Sequence, residues 1–324
     1  MQAKLQLQRR AFKEAEAVYR KLIALLPDNY EYHHGLCAAL SLNNSNAPDA
    51  PLDAATVSRL RDVYTQLLTE YPDCAACKRI PLDFLRGADF AAAAKERIMY
   101  FVSRDIPSLF SDLKPLLRDP EKAEALWGIF ENLLEESTSG QAVWLHLYLA
   151  LHAAELGRIG DAIKHIVAAE ERCSDCRVAA LDVFSAKAEV LTAAGDAEGA
   201  AAAAEVARLL DVKDRYVNSM AAKYWFRAGH LQRARETALL FAVDIDGNVD
   251  NLNEMQVIWY ELESGQAHAS AGDLGMVCIP CRCSYCLFWF CFSFLFSKAA
   301  SMVSEGPRWT CSRQRRRCRQ PPGT

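Results

Sequence analysis

Apolar positions along the chain recur with the period of a helix, and the alternation expected of strands is scarce. Leu60, Tyr64, Leu67 and Leu68 fall three and four apart and predict one helix. From Val143 to about Gly275 the pattern comes as facing pairs. Trp144, Leu145, Tyr148, Leu149 and Leu156 line one helix, answered by Ala162, Ile166 and Ala169 on the next. Phe184, Ala188 and Leu191 are answered by Ala200, Ala204 and Ala207, and Tyr216, Ala222 and Trp225 by Ala234, Ala238 and Phe241. Between the members of each pair a Gly precedes an Ala by five residues: Gly157 and Ala162, Gly195 and Ala200, Gly229 and Ala234. Two antiparallel helices come close only where a small side chain faces the partner. The turn between them favours a residue that tolerates positive φ.

The Ala anchors repeat at intervals of 38 and 34 residues, which is the spacing of tetratricopeptide-type repeats. The expectation is therefore an all-α chain whose helix pairs stack as an α–α superhelix (solenoid). One pair cannot bury its own apolar face, so pairs pile up and leave a concave surface that binds rather than reacts. Residues 1–40 read as a partial unit, with Ala15, Tyr19, Leu22 and Pro27 where a second helix carries its small, aromatic, apolar and terminating residues. Its first helix is missing or atypical, which implies repeat material upstream. A linker loop over 41–56 precedes irregular helical repeats over 57–136, where Pro107 and Pro120 fit first-turn positions. A linker over 137–142 leads to tetratricopeptide repeats over 143–275, the last truncated, and a tail follows over 276–324.

Composition narrows the possibilities. A hydrophobic content of 51% supplies a continuous core, and a net charge of −4 argues against a general nucleic-acid binder, so no direct DNA binding is expected. Met1 to Arg10 has no apolar signal segment. Five of the 12 cysteines lie in residues 1–277 and read as reduced, structural thiols of a cytoplasmic protein. Cys74-x2-Cys77 and Cys173-x2-Cys176 have zinc-like spacing but no further ligands nearby in sequence, and His33 and His34 read as packing or surface residues. No metal site is therefore assigned. The tail is Cys- and Phe-rich, then Arg-rich. Its apolar run Cys283–Ser297 is shorter than the roughly 20 residues of a membrane-spanning helix, so no membrane association is expected. The abrupt change at Met276 reads as translated intron or shifted-frame sequence joined to a truncated repeat. An uncapped last repeat predicts poor solubility.

Besides "IPSLFSDLKPLL" (106–117) and "DRYVNSMAAKY" (214–224), three stretches exceed what a generic repeat demands: "RIPLDFL" (79–85), "DRYVNS" (214–219) and "NLNEMQ" (251–256). With the repeat pattern, these resemble the auxiliary subunit family of the NatA N-terminal acetyltransferase complex, in plant or algal form, over roughly residues 10–275 as a partial chain. The resemblance implies a non-catalytic scaffold that wraps the NatA catalytic subunit and docks it at the ribosome for co-translational N-terminal acetylation. Acetyl-CoA then enters only through that catalytic partner, and the chain has no cofactor of its own. Some members bind inositol hexakisphosphate, and the match of "DRYVNSMAAKY" makes Arg215, Tyr216 and Lys223 the implied contacts. Met220 departs from the polar residue that relatives often carry after "NS".

A different tetratricopeptide adaptor, such as a chaperone co-factor, is the alternative. Its clamp for acidic C-termini needs Lys and Arg on the first helices, where this chain offers His146, Phe184 and Asn218. An enzyme is disfavoured, because no nucleotide-binding Gly loop, acetyl-CoA loop or paired ligand set is visible in the sequence.

Overall fold

Among the described residues, seven turns share one backbone design, and they set out the architecture. In each, a helix ends in a residue with positive φ, and the following N–H reaches back five residues to a helix carbonyl, satisfying a group the helix end leaves open. Four use glycine: Gly157 (φ 71°), Gly195 (82°), Gly229 (84°) and Gly272 (79°). Three use Arg10 (58°), Ser41 (55°) and Asp105 (54°). The closing bonds include Arg158 N–H to Ala153 O (2.8 Å), Asp196 N–H to Leu191 O (2.9 Å) and Ala11 N–H to Gln6 O (3.0 Å).

The structure is a computed structural model that describes residues 1–42, 52–173, 177–242 and 257–273. All regular structure among the described residues is helical. The chain divides into two units, Met1–Tyr224 and Trp225–Thr324.

In the first unit, α1 (Gln2–Gln8) is a short helix packed on α2 (Phe12–Leu25), followed by α3 (Tyr30–Ala39) and α4 (Ala54–Glu70). The first helix of the opening repeat is thus present but only two turns long. Helix α2 buries Ala15, Tyr19 and Ile23, one residue per turn on one face, and stops before Pro27. Gly35 of α3 lies against the Tyr19 ring so closely that an added Cβ would overlap it. These side chains, with Leu36, Leu60, Tyr64 and Leu67, form the first hydrophobic cluster.

Three short helices follow, α5 (Ala75–Arg79), α6 (Pro81–Phe84) and α8 (Leu109–Leu113), around the longer α7 (Gly87–Val102). A 3-10 turn over Lys114–Arg118 leads into α9 (Pro120–Glu136), which opens on Pro120 and is capped by Asp119. Pro107 lies in the turn ahead of α8 rather than within a helix. Only Ser137 and Thr138 separate α9 from α10 (Ser139–Glu155), because Thr138 and Gln141 form a capping box that starts the next helix at once. The segment 137–142 is therefore mostly helix.

The pairs read from the sequence follow: α10 with α11 (Ile159–Cys173), α12 (Arg177–Ala193) with α13 (Ala197–Leu210). Ala162, Ala200 and their neighbours Ala169, Ala204 and Ala207 are buried at these contacts. A second cluster runs from Leu82 through Phe130 and Tyr148 to Val190, with the Phe130 and Tyr148 rings stacked at 3.7 Å. Helix α14 (Arg215–Arg227) begins in this unit, which ends at Tyr224.

The second unit holds the end of α14, α15 (Leu231–Leu239) and α16 (Ile258–Ser270). Arg227 makes a two-pronged pair with Glu263 (3.1 and 2.5 Å), Phe226 meets the Tyr260 ring edge-on, and Arg233 lies 3.8 Å over Trp225. Ala234 and Ala238 are buried here. The motif at 251–256, Cys176 and the tail after Asp273 lie outside the described residues.

Candidate partner-binding surface

The loop joining α13 to α14 carries the side chains singled out from the sequence. Asp211 and Asp214 shape it: Asp211 Oδ1 accepts the Lys213 N–H (3.0 Å), and Asp214 Oδ1 accepts those of Tyr216 and Val217 (2.7 and 3.4 Å). The carboxylate of Asp214 thus occupies the donors that open α14. Arg215 and Tyr216 are exposed and Lys223 is half-buried. At about 100° per residue, the three share an arc of roughly 100° on the helix, spread over about 12 Å of its axis. Met220 is half-buried between them in sequence.

Around this loop the chain exposes large apolar groups: Leu209, Leu210, Val212 and Tyr216 are between 46% and 71% exposed. The equivalent loop between α2 and α3 repeats the arrangement with Leu25, Leu26 and Tyr30, all likewise exposed. Both loops follow a second helix, and both present two leucines and a tyrosine to the outside. Neither leucine pair stood out in the sequence, since Leu-Leu at a helix end is equally a core pattern. The signal was its position beyond the last buried turn, Ile23 in α2 and Ala207 in α13.

Other sequence candidates fall in the interior. His146 and Asn218 are buried, so neither offers a hand to a peptide carboxylate. His146 Nδ1 lies 3.0 Å from His165 Nδ1, so one imidazole must donate and the other accept. Burial, then the His165 charge, pushes His146 down to about 4, and burial also lowers His165. Burial pushes His152 down to about 4 as well, and neither of its ring nitrogens has a hydrogen-bond partner among the described residues.

"RIPLDFL" is a structural junction. Arg79 donates to Asp83 Oδ1 (2.7 Å) and to the Asp112 carbonyl (2.9 Å), and Lys122 Nζ caps α6 through Leu82 O and Asp83 O (2.7 and 2.6 Å). Beside it opens a cavity of about 690 Å³ lined by Arg61, Tyr64, Leu68, Cys77, Arg97 and Tyr100, among others. Cys74 and Cys77 are both buried, and the fold brings a residue to them that sequence spacing could not: His33 of α3, also buried. His34, next in the chain, is exposed. Cys173 is buried and donates to the Glu170 carbonyl.

Stacked helix pairs with small residues at their contacts and apolar loops turned outward define a tetratricopeptide-type scaffold, a class that binds other proteins. More specifically, the chain belongs to the N-terminal acetyltransferase A auxiliary subunit family, whose model matches residues 1–279. It is 33% identical over 276 residues to the N-terminal acetyltransferase A complex auxiliary subunit NAA15 of Arabidopsis thaliana, covering 81% of this chain and 30% of that protein. The N-alpha-acetyltransferase 16, NatA auxiliary subunit of Mus musculus is 28% identical over 285 residues, covering 83% and 31%. Among solved structures, one described as Naa15/Naa10 bound to HypK-THB matches with a TM-score of 0.77 at 28% identity, covering 94% of this chain and 45% of that one. The chain spans about a third of the length of these curated relatives. Among the described residues no helix is long and apolar enough to cross a membrane.

Proposed function

We propose that this chain serves as part of a non-catalytic scaffold that binds the NatA catalytic subunit and supports co-translational N-terminal protein acetylation at the ribosome, in the cytoplasm. The observation that carries this reading is the match of nearly the whole chain to a structure of Naa15/Naa10, together with the family assignment over residues 1–279. Family and fold support a chain that holds a partner, and in this reading acetyl-CoA enters only through that partner. The exposed leucine and tyrosine side chains of the two inter-repeat loops supply apolar contact area of the kind that interfaces favour.

Arg215, Tyr216 and Lys223 are the proposed contacts for inositol hexakisphosphate. Two cations and a phenol on one helix arc suit a polyphosphate, although Asp214 competes for the same helix end. Co-expression with a NatA catalytic subunit tests the main reading: recovery of both proteins in one species supports it, and recovery of the catalytic subunit alone rejects it.

A further inference from the structure

The loop from α2 to α3 and the start of α5 are tied together by polar bonds between residues far apart in sequence. Asp28 Oδ1 accepts the N–H groups of Ala75 and Ala76 (2.7 and 3.3 Å). The Pro27 carbonyl accepts from His33 Nε2 (2.7 Å) and from Cys74 Sγ (3.2 Å), and the Cys77 N–H points to Cys74 Sγ (3.2 Å). The result is a buried cluster of two thiols and an imidazole. One ligand atom from each of His33, Cys74 and Cys77 lies within 4.8 Å of the others.

A core of ordinary packing residues accounts for the thiols but not for the imidazole. A carbonyl only accepts, so His33 Nε2 carries the proton toward Pro27 and Nδ1 holds the lone pair. Nδ1 is buried with no hydrogen-bond partner among the described residues, so its lost hydration is not offset. A ligating histidine that donates its other N–H to a backbone carbonyl is the usual second-shell design of a metal site.

We propose that His33, Cys74 and Cys77 together bind a zinc ion. Soft thiolates with imidazole select d10 ions, and Cys-x2-Cys is a zinc spacing. Charge favours zinc over cuprous copper. Each thiol gives up its proton to solvent on binding, so two thiolates, a neutral imidazole and Zn2+ sum to zero, which suits a buried site. Tetrahedral ligation places donor atoms about 3.5–3.8 Å apart, so the three side chains rotate to draw in around the ion. Cys77 also lines the 690 Å³ cavity, which gives the ion a route in and a water a place as fourth ligand. The ion would staple α3 to the start of α5, joining His33 to Cys74 across 41 positions of sequence.

The test uses the full chain with the seven cysteines between positions 278 and 318 replaced by serine, so that the tail cannot supply ligands. After reduction, zinc loading and desalting, metal analysis should find a single equivalent of zinc. Cobalt substitution should give the thiolate-to-metal charge-transfer band and the strong visible bands of tetrahedral cobalt, and X-ray absorption should count two sulfur ligands. Cys74→Ser, Cys77→Ser and His33→Gln should each lose the ion, while Cys37→Ser, a buried thiol outside the cluster, should keep it. If a ligand variant fails to fold, the sulfur count on the parent chain decides. No retained zinc, zinc kept by Cys77→Ser, or a Cys74–Cys77 disulfide that persists under reducing conditions would each overturn the proposal.

Discussion

Arg97 holds Asp112 with both arms of its guanidinium, Nε 2.5 Å from one carboxylate oxygen and Nη2 2.8 Å from the other. Arg79 adds a bond from Nε to the Asp112 backbone carbonyl (2.9 Å), and both arginines are buried. Removing one partner of such a set leaves a largely buried charge unpaired. Asp112→Ala is expected to destabilise the first unit by about 3–5 kcal/mol. Urea unfolding followed by circular dichroism measures this. A loss below about 1 kcal/mol, the range of an exposed pair, would show that the network is solvated.

Three of the buried histidines of the same unit make it sensitive to acid. His146 and His152 are pushed from 6.5 down to about 4, and His165 is also lowered. The cationic neighbours Lys164 and Arg172 near His146, and Arg158 near His152, act in the same direction as burial. Their folded pKa lies below the unfolded one, so the neutral form is stabilised and its contribution is complete above pH 6.5. It is lost as pH falls toward 4, at up to about 3 kcal/mol for His152. Unfolding midpoints should therefore drop over this window, and His152→Leu should flatten the profile. An unchanged slope in that variant would exclude the assignment.

The turns predict an asymmetric pair of substitutions. Gly195 has φ 82°, so Gly195→Ala should cost about 1–2 kcal/mol, while Arg10→Gly at φ 58° should gain up to about 1 kcal/mol. Thermal unfolding of the two variants, shifting in opposite directions, checks the shared design. Shifts of the same sign would contradict it.

That series also explains what the sequence made legible. Gly157, Gly195 and Gly229 announced their turns, and Ala162, Ala200 and Ala234 are buried at the contacts they prepare. The opening repeat looked incomplete because its turn residue is Arg10, whose left-handed backbone leaves no trace in composition. The same holds for Ser41 and Asp105. "RIPLDFL" drew attention as a family motif, but its work lies in pairings of Arg79 with Asp83 and Asp112 that no local pattern reveals. His33 stands 41 positions before Cys74, too far for any spacing rule to join them. The exposed Leu209 and Leu210 were hidden by their likeness to core.

Those leucines should matter for binding and not for folding. Leu209→Asp with Leu210→Asp is expected to change stability by no more than about 0.5 kcal/mol per site while weakening capture of the catalytic subunit. Pull-down of the folded variant at the parent level would remove this loop from the interface.

For the inositol phosphate contacts, Arg215→Ala combined with Lys223→Ala should lower affinity at least about tenfold, the loss expected from charge-assisted hydrogen bonds. Calorimetry with inositol hexakisphosphate on the complex with the catalytic subunit provides the comparison. Equal affinities would place the ligand elsewhere.

The grip on an acetyltransferase subunit is proposed from the family and the fold. Size-exclusion chromatography with light scattering on the full chain co-expressed with a NatA catalytic subunit tests it most directly. A complex of the summed mass, holding one copy of each protein, is the predicted result. Separate elution of the two proteins, each at its own mass while the chain keeps its helical spectrum, would contradict the account.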